Sequence, residues 1–196
     1  MSILEALKQI IKSSAILCDG QQQCHAILEE RNEAKLKKLT LSDLKSNHLV
    51  IGLDDARKLV CDARITCMSP IFSTTSAYDI NRACDALLIE EKEAGKCKIT
   101  YIELKSDSPS GFVSQFISSS CFVSYLKEIL IKLCNIHVES ITEKFLIFHT
   151  DPNDGKPSLR KTTTTKKNIP ANANSPKNPK KIIVRNDDTK SIMEIW

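Results

Sequence analysis

The chain has 196 residues, 41% of them hydrophobic and 5% aromatic, and carries a net charge of +4. That suits one domain of ordinary size with a real core, and no run approaches the 18 consecutive apolar residues that a membrane span needs. The charge is uneven: positions 151–185 hold nine Lys or Arg against two Asp, whereas residues 1–150 sum to −1.

Residues 3 to 18 read as a helix with Ile3, Leu4, Leu7, Ile10, Ile11 and Ser14 along one stripe, ended by Asp19-Gly20. Glu5 and Lys8 interrupt the apolar run that a secretory signal would show, so a cytoplasmic protein with reduced thiols is expected. Eight cysteines stand at 18, 24, 61, 67, 84, 97, 121 and 134. Cys18/Cys24 and Cys61/Cys67 are spaced more widely than paired zinc ligands usually are, and several of the eight lie in apolar runs, where a free Cys acts as a small hydrophobe. A zinc-stabilised interaction module is therefore the weakest of three readings.

The segment from Gln23 to Leu36 fits a strand or a helix, and Lys37 to Leu44 and the apolar Leu49-Val50-Ile51 follow. Leu53 to Cys67 is ambiguous between a short helix and a strand. Ser69-Pro70 and Ser73 to Ser76 carry loop chemistry. Next, Leu87 to Ile89 and Ile99 to Ile102 are β-rich runs around a charged loop, Glu90 to Lys98, which reads as a hairpin. With a turn near Ala94, Asp85 falls opposite Glu103 or Leu104. Side chains alternate along a strand, so Glu103 and Lys105 share a face and Leu104 points to the other. Two carboxylates and an ammonium then meet at one end of a sheet.

Ser108-Pro109 has the chemistry of a helix start. Phe112, Phe116, Val123, Leu126, Leu130 and Leu133 mark the buried side of a long helix broken near Asn135, with Gln115 in its second turn. Ser118, Ser119 and Ser120 suit close helix packing better than nucleophilic catalysis, because no His lies near them in sequence. Lys144 to His149 is a continuous apolar strand suited to a central position. Asp151 to Pro179 holds five of the seven prolines and reads as a long loop. Ile182 to Val184, a turn at Asn186 to Asp188, and Ile192 to Ile195 read as a closing hairpin.

Asp85, then Glu103-Leu104-Lys105 closing a hydrophobic strand, resembles the core of the PD-(D/E)XK (restriction-endonuclease-like) nuclease superfamily, and Gln115 resembles the glutamine seen on the following helix in many members. Five other acid-x-Lys triplets occur here, at Glu33/Lys35, Asp43/Lys45, Glu90/Lys92, Asp154/Lys156 and Asp188/Lys190. Only Glu103/Lys105 ends an apolar strand whose partner begins in an Asp. The proline of the family pattern is replaced, since Ala83-Cys84 precede Asp85.

The resemblance implies an α/β fold with a restriction-endonuclease-like mixed central sheet flanked by helices: a nuclease-like core over 1–150, a basic Pro-rich loop over 151–180 and a C-terminal hairpin over 181–196. It implies hydrolysis of phosphodiester bonds in nucleic acid, DNA before RNA, in restriction, repair or anti-phage defence. Asp85 and Glu103, joined by an upstream Glu30 (or Glu29, then Glu33), would bind Mg²⁺ or Mn²⁺, which favours oxygen ligands. Lys105 would position water or stabilise the transition state, and Gln115 would help place water or phosphate. Lys166, Lys167, Lys180 and Lys181 are the candidate phosphate-backbone contacts. The alternative is a non-catalytic subunit of the same fold that binds nucleic acid or a partner protein in a defence or repair complex.

Overall fold

The structure is a computed structural model that describes residues 1–20, 24–29, 36–53, 78–106, 110–150 and 174–195. Among these, nine strands form two sheets. The larger sheet has six strands in the order β1 (Ile16–Cys18), β4 (His48–Gly52), β5 (Ala86–Glu93), β6 (Lys96–Lys105), β7 (Ser140–His149) and β8 (Lys180–Ile183). The smaller has three, in the order β2 (Ala26–Glu29), β3 (Lys38–Ser42) and β9 (Asp188–Ser191). Pairing from β1 to β6 is antiparallel, and β6, β7 and β8 run parallel, so the large sheet is mixed.

The hairpin expected around Ala94 is present and longer than its apolar residues suggest. β5 and β6 are joined across Ala94 and Gly95, and Gly95 takes a positive φ of +81° that a glycine accepts at little cost. Alternation along these strands builds two cores. Leu87, Ile89, Ile99, Tyr101, Phe145 and Ile147 point to one face, which is covered by α1 (Ile3–Ile10) and α2 (Phe112–Lys132). Ala86, Leu88, Ile102, Leu104, Leu146 and Phe148 point to the other, where Ala26, Leu28, Leu39 and Leu41 of the small sheet meet Ile192 and Ile195 of α3 (Ile192–Ile195). The protein is thus a strand-rich mixed α/β fold with helices on one face of the central sheet. The expected helical cover of the other face is instead a second sheet with one short helix.

Several elements differ from the sequence reading, for local reasons. The first helix ends at Ile10, and the chain passes through a 3₁₀ turn at Ser13–Ala15 into β1. Its start is set by a capping box: Ser2 Oγ accepts from Glu5 N at 3.1 Å, and Glu5 Oε2 accepts from Ser2 N at 2.8 Å. Glu91 of β5 then accepts from Ile3 N at 3.0 Å, using an N–H that helix geometry leaves unpaired. Gly20 (φ +73°) turns so tightly that a Cβ there would lie 2.0 Å from Lys45 O. On α2 the expected stripe is buried except Leu133, which is 79% exposed because it follows the last helical residue.

The C-terminal segment is not a hairpin. β8 pairs with β7 and β9 with β3, so the chain crosses from one sheet to the other. Asn186 directs it, its Oδ1 accepting from Lys37 N at 2.7 Å and from Lys38 N at 3.0 Å. Cys18 and Cys24 form a disulfide with Cα atoms 5.9 Å apart, a departure from the all-reduced expectation; the end of β1 and the approach to β2 bring them together. Cys84 and Cys97 are buried thiols, as hydrophobic Cys should be. Among the described residues no helix is long and apolar enough to cross a membrane. Ser108-Pro109, residues 54–77 and 151–173, and Glu30 and Glu33 lie outside the described residues.

Candidate active site

The last rung of the β5–β6 ladder pairs Ala86 with Ile102. One step further, Asp85 falls opposite Glu103 at the end of β6, one of the two positions that the expected register left open. There β5 has ended and no longer offers a backbone acceptor. The Asp85 carboxylate takes that place: Oδ2 accepts from Leu104 N at 2.5 Å.

Glu103 and Lys105 share the helix-covered face with Ile99 and Tyr101, and Leu104 points into the opposite core. The Glu103 side chain is 1% exposed, and Lys105 Nζ, 22% exposed, lies 2.5 Å from Glu103 Oε1. A buried carboxylate is costly unless it is paired, and Lys105 supplies the pairing charge. Lys105 also donates to Gln115 Oε1 at 3.2 Å, and Gln115 Nε2 donates to Ala83 O at 3.3 Å. The carboxamide therefore links the strand bearing Lys105 to the segment bearing Asp85. Beneath lie stacked Tyr101 and Phe145, 4.7 Å between centroids, and Phe116 set edge-on to Phe145 at 5.4 Å. The buried Cys84 thiol beside them is pushed well above its usual range, by burial first and then by the negative charges of Glu103 and Asp85, against a lowering contact from Ser119.

Asp85, Glu103, Lys105 and Gln115 thus gather at one strand end. Lys181 faces the same side: β8 is in register with β7 (Ile147↔Lys181), and Lys181 Nζ sits 5.6 Å from the ring centroid of Phe112 in the first turn of α2. Lys180 points the other way and donates to Ile195 O at 3.2 Å. The two lysines expected to act together on one backbone therefore lie on opposite faces. Lys166, Lys167 and the upstream acid Glu30 lie outside the described residues. Glu29 is exposed on β2, alternating with the inward Ala26 and Leu28, so it faces away from this site.

His149 was not singled out from sequence. It is the register partner of Lys105 and follows Phe145 and Ile147 in facing the helices. Its Nδ1 lies 2.9 Å from Thr150 O. A carbonyl can only accept, so Nδ1 carries the hydrogen and a neutral ring presents the Nε2 lone pair. The signal was present in the sequence as the only ionisable residue at the far end of an apolar strand. It becomes meaningful only once β6 and β7 are known to be parallel neighbours.

Among the described residues no group of three or more His, Cys, Asp or Glu side chains is arranged to hold a metal ion. The two carboxylates at the strand end fit a hard cation in kind, since Mg²⁺ is commonly held by one or two carboxylates completed by water and phosphate. One Glu103 oxygen is already engaged by Lys105. No family model, curated protein or solved structure matches the chain.

Proposed function

We propose that the protein is a PD-(D/E)XK-type nuclease of restriction-endonuclease-like fold that hydrolyses phosphodiester bonds, with DNA as its first candidate substrate. The observation that carries the reading is the Glu103–Lys105 pair: a carboxylate 1% exposed, held at 2.5 Å by a lysine, beside a second carboxylate at the end of a central strand. Packing alone has no need of such a group, and paired, desolvated charges at a strand end are a recurrent mark of chemistry.

In this reading Asp85 and Glu103 would hold Mg²⁺ or Mn²⁺, which when bound would supply Lewis-acid polarisation of a phosphoryl oxygen. Lys105 stabilises negative charge developing on the phosphoryl group. His149 Nε2 accepts the proton that the attacking water loses as its oxygen bonds to phosphorus. The ester P–O bond breaks, and the departing oxygen takes a proton from solvent. Gln115 holds Lys105 in line, and Lys181 meets a flanking phosphate.

The test is incubation of plasmid and single-stranded DNA with wild type and Asp85→Ala in Mg²⁺, Mn²⁺ or EDTA. Cleavage that needs the metal and Asp85 supports the reading. Tight DNA binding without cleavage would instead favour a non-catalytic subunit of the same fold.

A further inference from the structure

The side of α2 that faces the loop before β5 carries three polar residues at helical spacing, Gln115, Ser118 and Ser119, and all three bond to the backbone of that loop. Ser118 Oγ donates to Ile80 O at 2.9 Å. Gln115 Nε2 donates to Ala83 O at 3.3 Å. The fully buried Ser119 accepts from Cys84 N at 2.9 Å. The next residue, Asp85, lies one step beyond the Ala86–Ile102 rung, and on the β4 side its carbonyl accepts from Leu53 N at 2.8 Å. Its carboxylate accepts from Leu104 N at 2.5 Å, and residues 80–84 set the direction from which the chain arrives there. Ser120 belongs to another contact, with Glu143 Oε1 at 3.1 Å, and Ser124 bonds Ser120 O within the helix.

We propose that Ser118 and Ser119 are positioning residues which, with Gln115, clamp residues 80–84 to α2 and so fix the carboxylate of Asp85 against the end of β6. Because Gln115 also holds Lys105, one helix face sets both the carboxylate of Asp85 and the ammonium of Lys105. Any tilt of α2 moves Asp85 and Lys105 together, so ordering of α2 and assembly of the site are one event. The fixing of Asp85 follows from the bonding pattern alone, and its effect on metal binding rests on the nuclease reading.

The Leu104 amide, bonded to Asp85 Oδ2, is a built-in reporter. In the full-length Ser118→Ala/Ser119→Ala variant its hydrogen exchange should quicken about tenfold, the effect of losing a hydrogen bond or two in the segment that holds its acceptor. Amides of the Ile89/Ile99 rung, further along the hairpin, should keep their rates. Calorimetric Mn²⁺ affinity should weaken about tenfold, and Ser124→Ala should change neither readout. Unchanged Leu104 exchange would overturn the proposal. So would equal acceleration at both places, which marks general loosening. Quickened Leu104 exchange with unchanged Mn²⁺ affinity would overturn its metal-binding part. If wild type binds no Mn²⁺, the nuclease reading falls and Leu104 exchange alone decides the clamp. Should burial of an unpaired Cys84 N–H prevent folding, Ser118→Ala alone, with its half-buried hydroxyl, is read by the same criteria.

Discussion

Replacing Lys105 by alanine should destabilise the protein, and a divalent cation should restore much of the loss. The Glu103 carboxylate is 1% exposed and its charge is balanced by Lys105 Nζ at 2.5 Å. Removing one partner of a buried pair leaves an uncompensated charge and costs about 3–5 kcal/mol. Lys105 is itself 22% exposed, so water can enter the space it vacates, and the lower end, about 3 kcal/mol, applies. For a chain of this size that corresponds to roughly 6–12 °C in Tm, or about 1.5 M in the urea midpoint at a slope of about 2 kcal/mol/M. The assay is urea unfolding at pH 7.5 of wild type, Lys105→Ala, Glu103→Gln and the double variant, each with EDTA and with Mn²⁺. Lys105→Ala should be the least stable in EDTA. The double variant should regain most of the loss, since no buried charge is left unpaired. Mn²⁺ should raise the midpoint of Lys105→Ala more than that of wild type, because the ion takes over the role of the ammonium. A Lys105→Ala midpoint within about 0.3 M of wild type in EDTA would show that the pair behaves like a solvated surface ion pair, worth little, and would refute the argument from burial.

Three further outcomes follow from the same geometry. His149→Ala should lower cleavage by two orders of magnitude or more, the usual scale for a lost general base; undiminished cleavage removes His149 from the chemistry. Lys181→Ala should reduce the salt dependence of DNA binding by about one unit of slope, whereas Lys180→Ala, on the opposite face, should leave it unchanged; equal effects would contradict the division of the two lysines between faces. Lys98 is held down to about 8 by burial first and by Lys144 next, so the folded protein sheds that proton before the unfolded chain does. Stability should therefore rise from about pH 8 to pH 10.5, and Lys98→Gln should flatten that rise while stabilising the protein at pH 7; a flat wild-type curve would contradict the shift.

The features legible in the sequence are those set by short-range pattern. The β5–β6 hairpin follows from a turn near Ala94 and two apolar runs, which leave Asp85 opposite Glu103 or Leu104; the register shift between Glu91 and Glu93 is what sets it against Glu103. The buried side of α2 follows from helical spacing. What escaped the sequence depends on partners far along the chain. Ile16 and Cys18 continue an apolar pattern begun in α1, and only pairing with β4 makes them a strand. Ile182 to Val184 and Ile192 to Ile195 look like two arms of a hairpin, yet β8 and β9 each find a parallel partner elsewhere and Ile192–Ile195 is helical, with the crossing directed by Asn186 against Lys37 and Lys38. His149 was hidden for the same reason, because its place beside Lys105 is created by the parallel β6–β7 pair.

The serines of α2 show how one pattern can serve packing and function together. Small residues let the helix approach the sheet closely, which is how Ser118 to Ser120 read in the sequence. Close approach also puts each hydroxyl within reach of a polar partner, and each has taken one: Ile80 O, Cys84 N and Glu143 Oε1. A fully buried hydroxyl such as that of Ser119 is costly unless bonded, so its partner is as much a part of the fold as Phe116 beside it. A helix that packed on this sheet through alanines would bury the same apolar residues and leave Cys84 N unsatisfied. The order around Asp85 is therefore built by the same hydrogen bonds through which α2 packs on the sheet, and in the nuclease reading the site takes its geometry from the core.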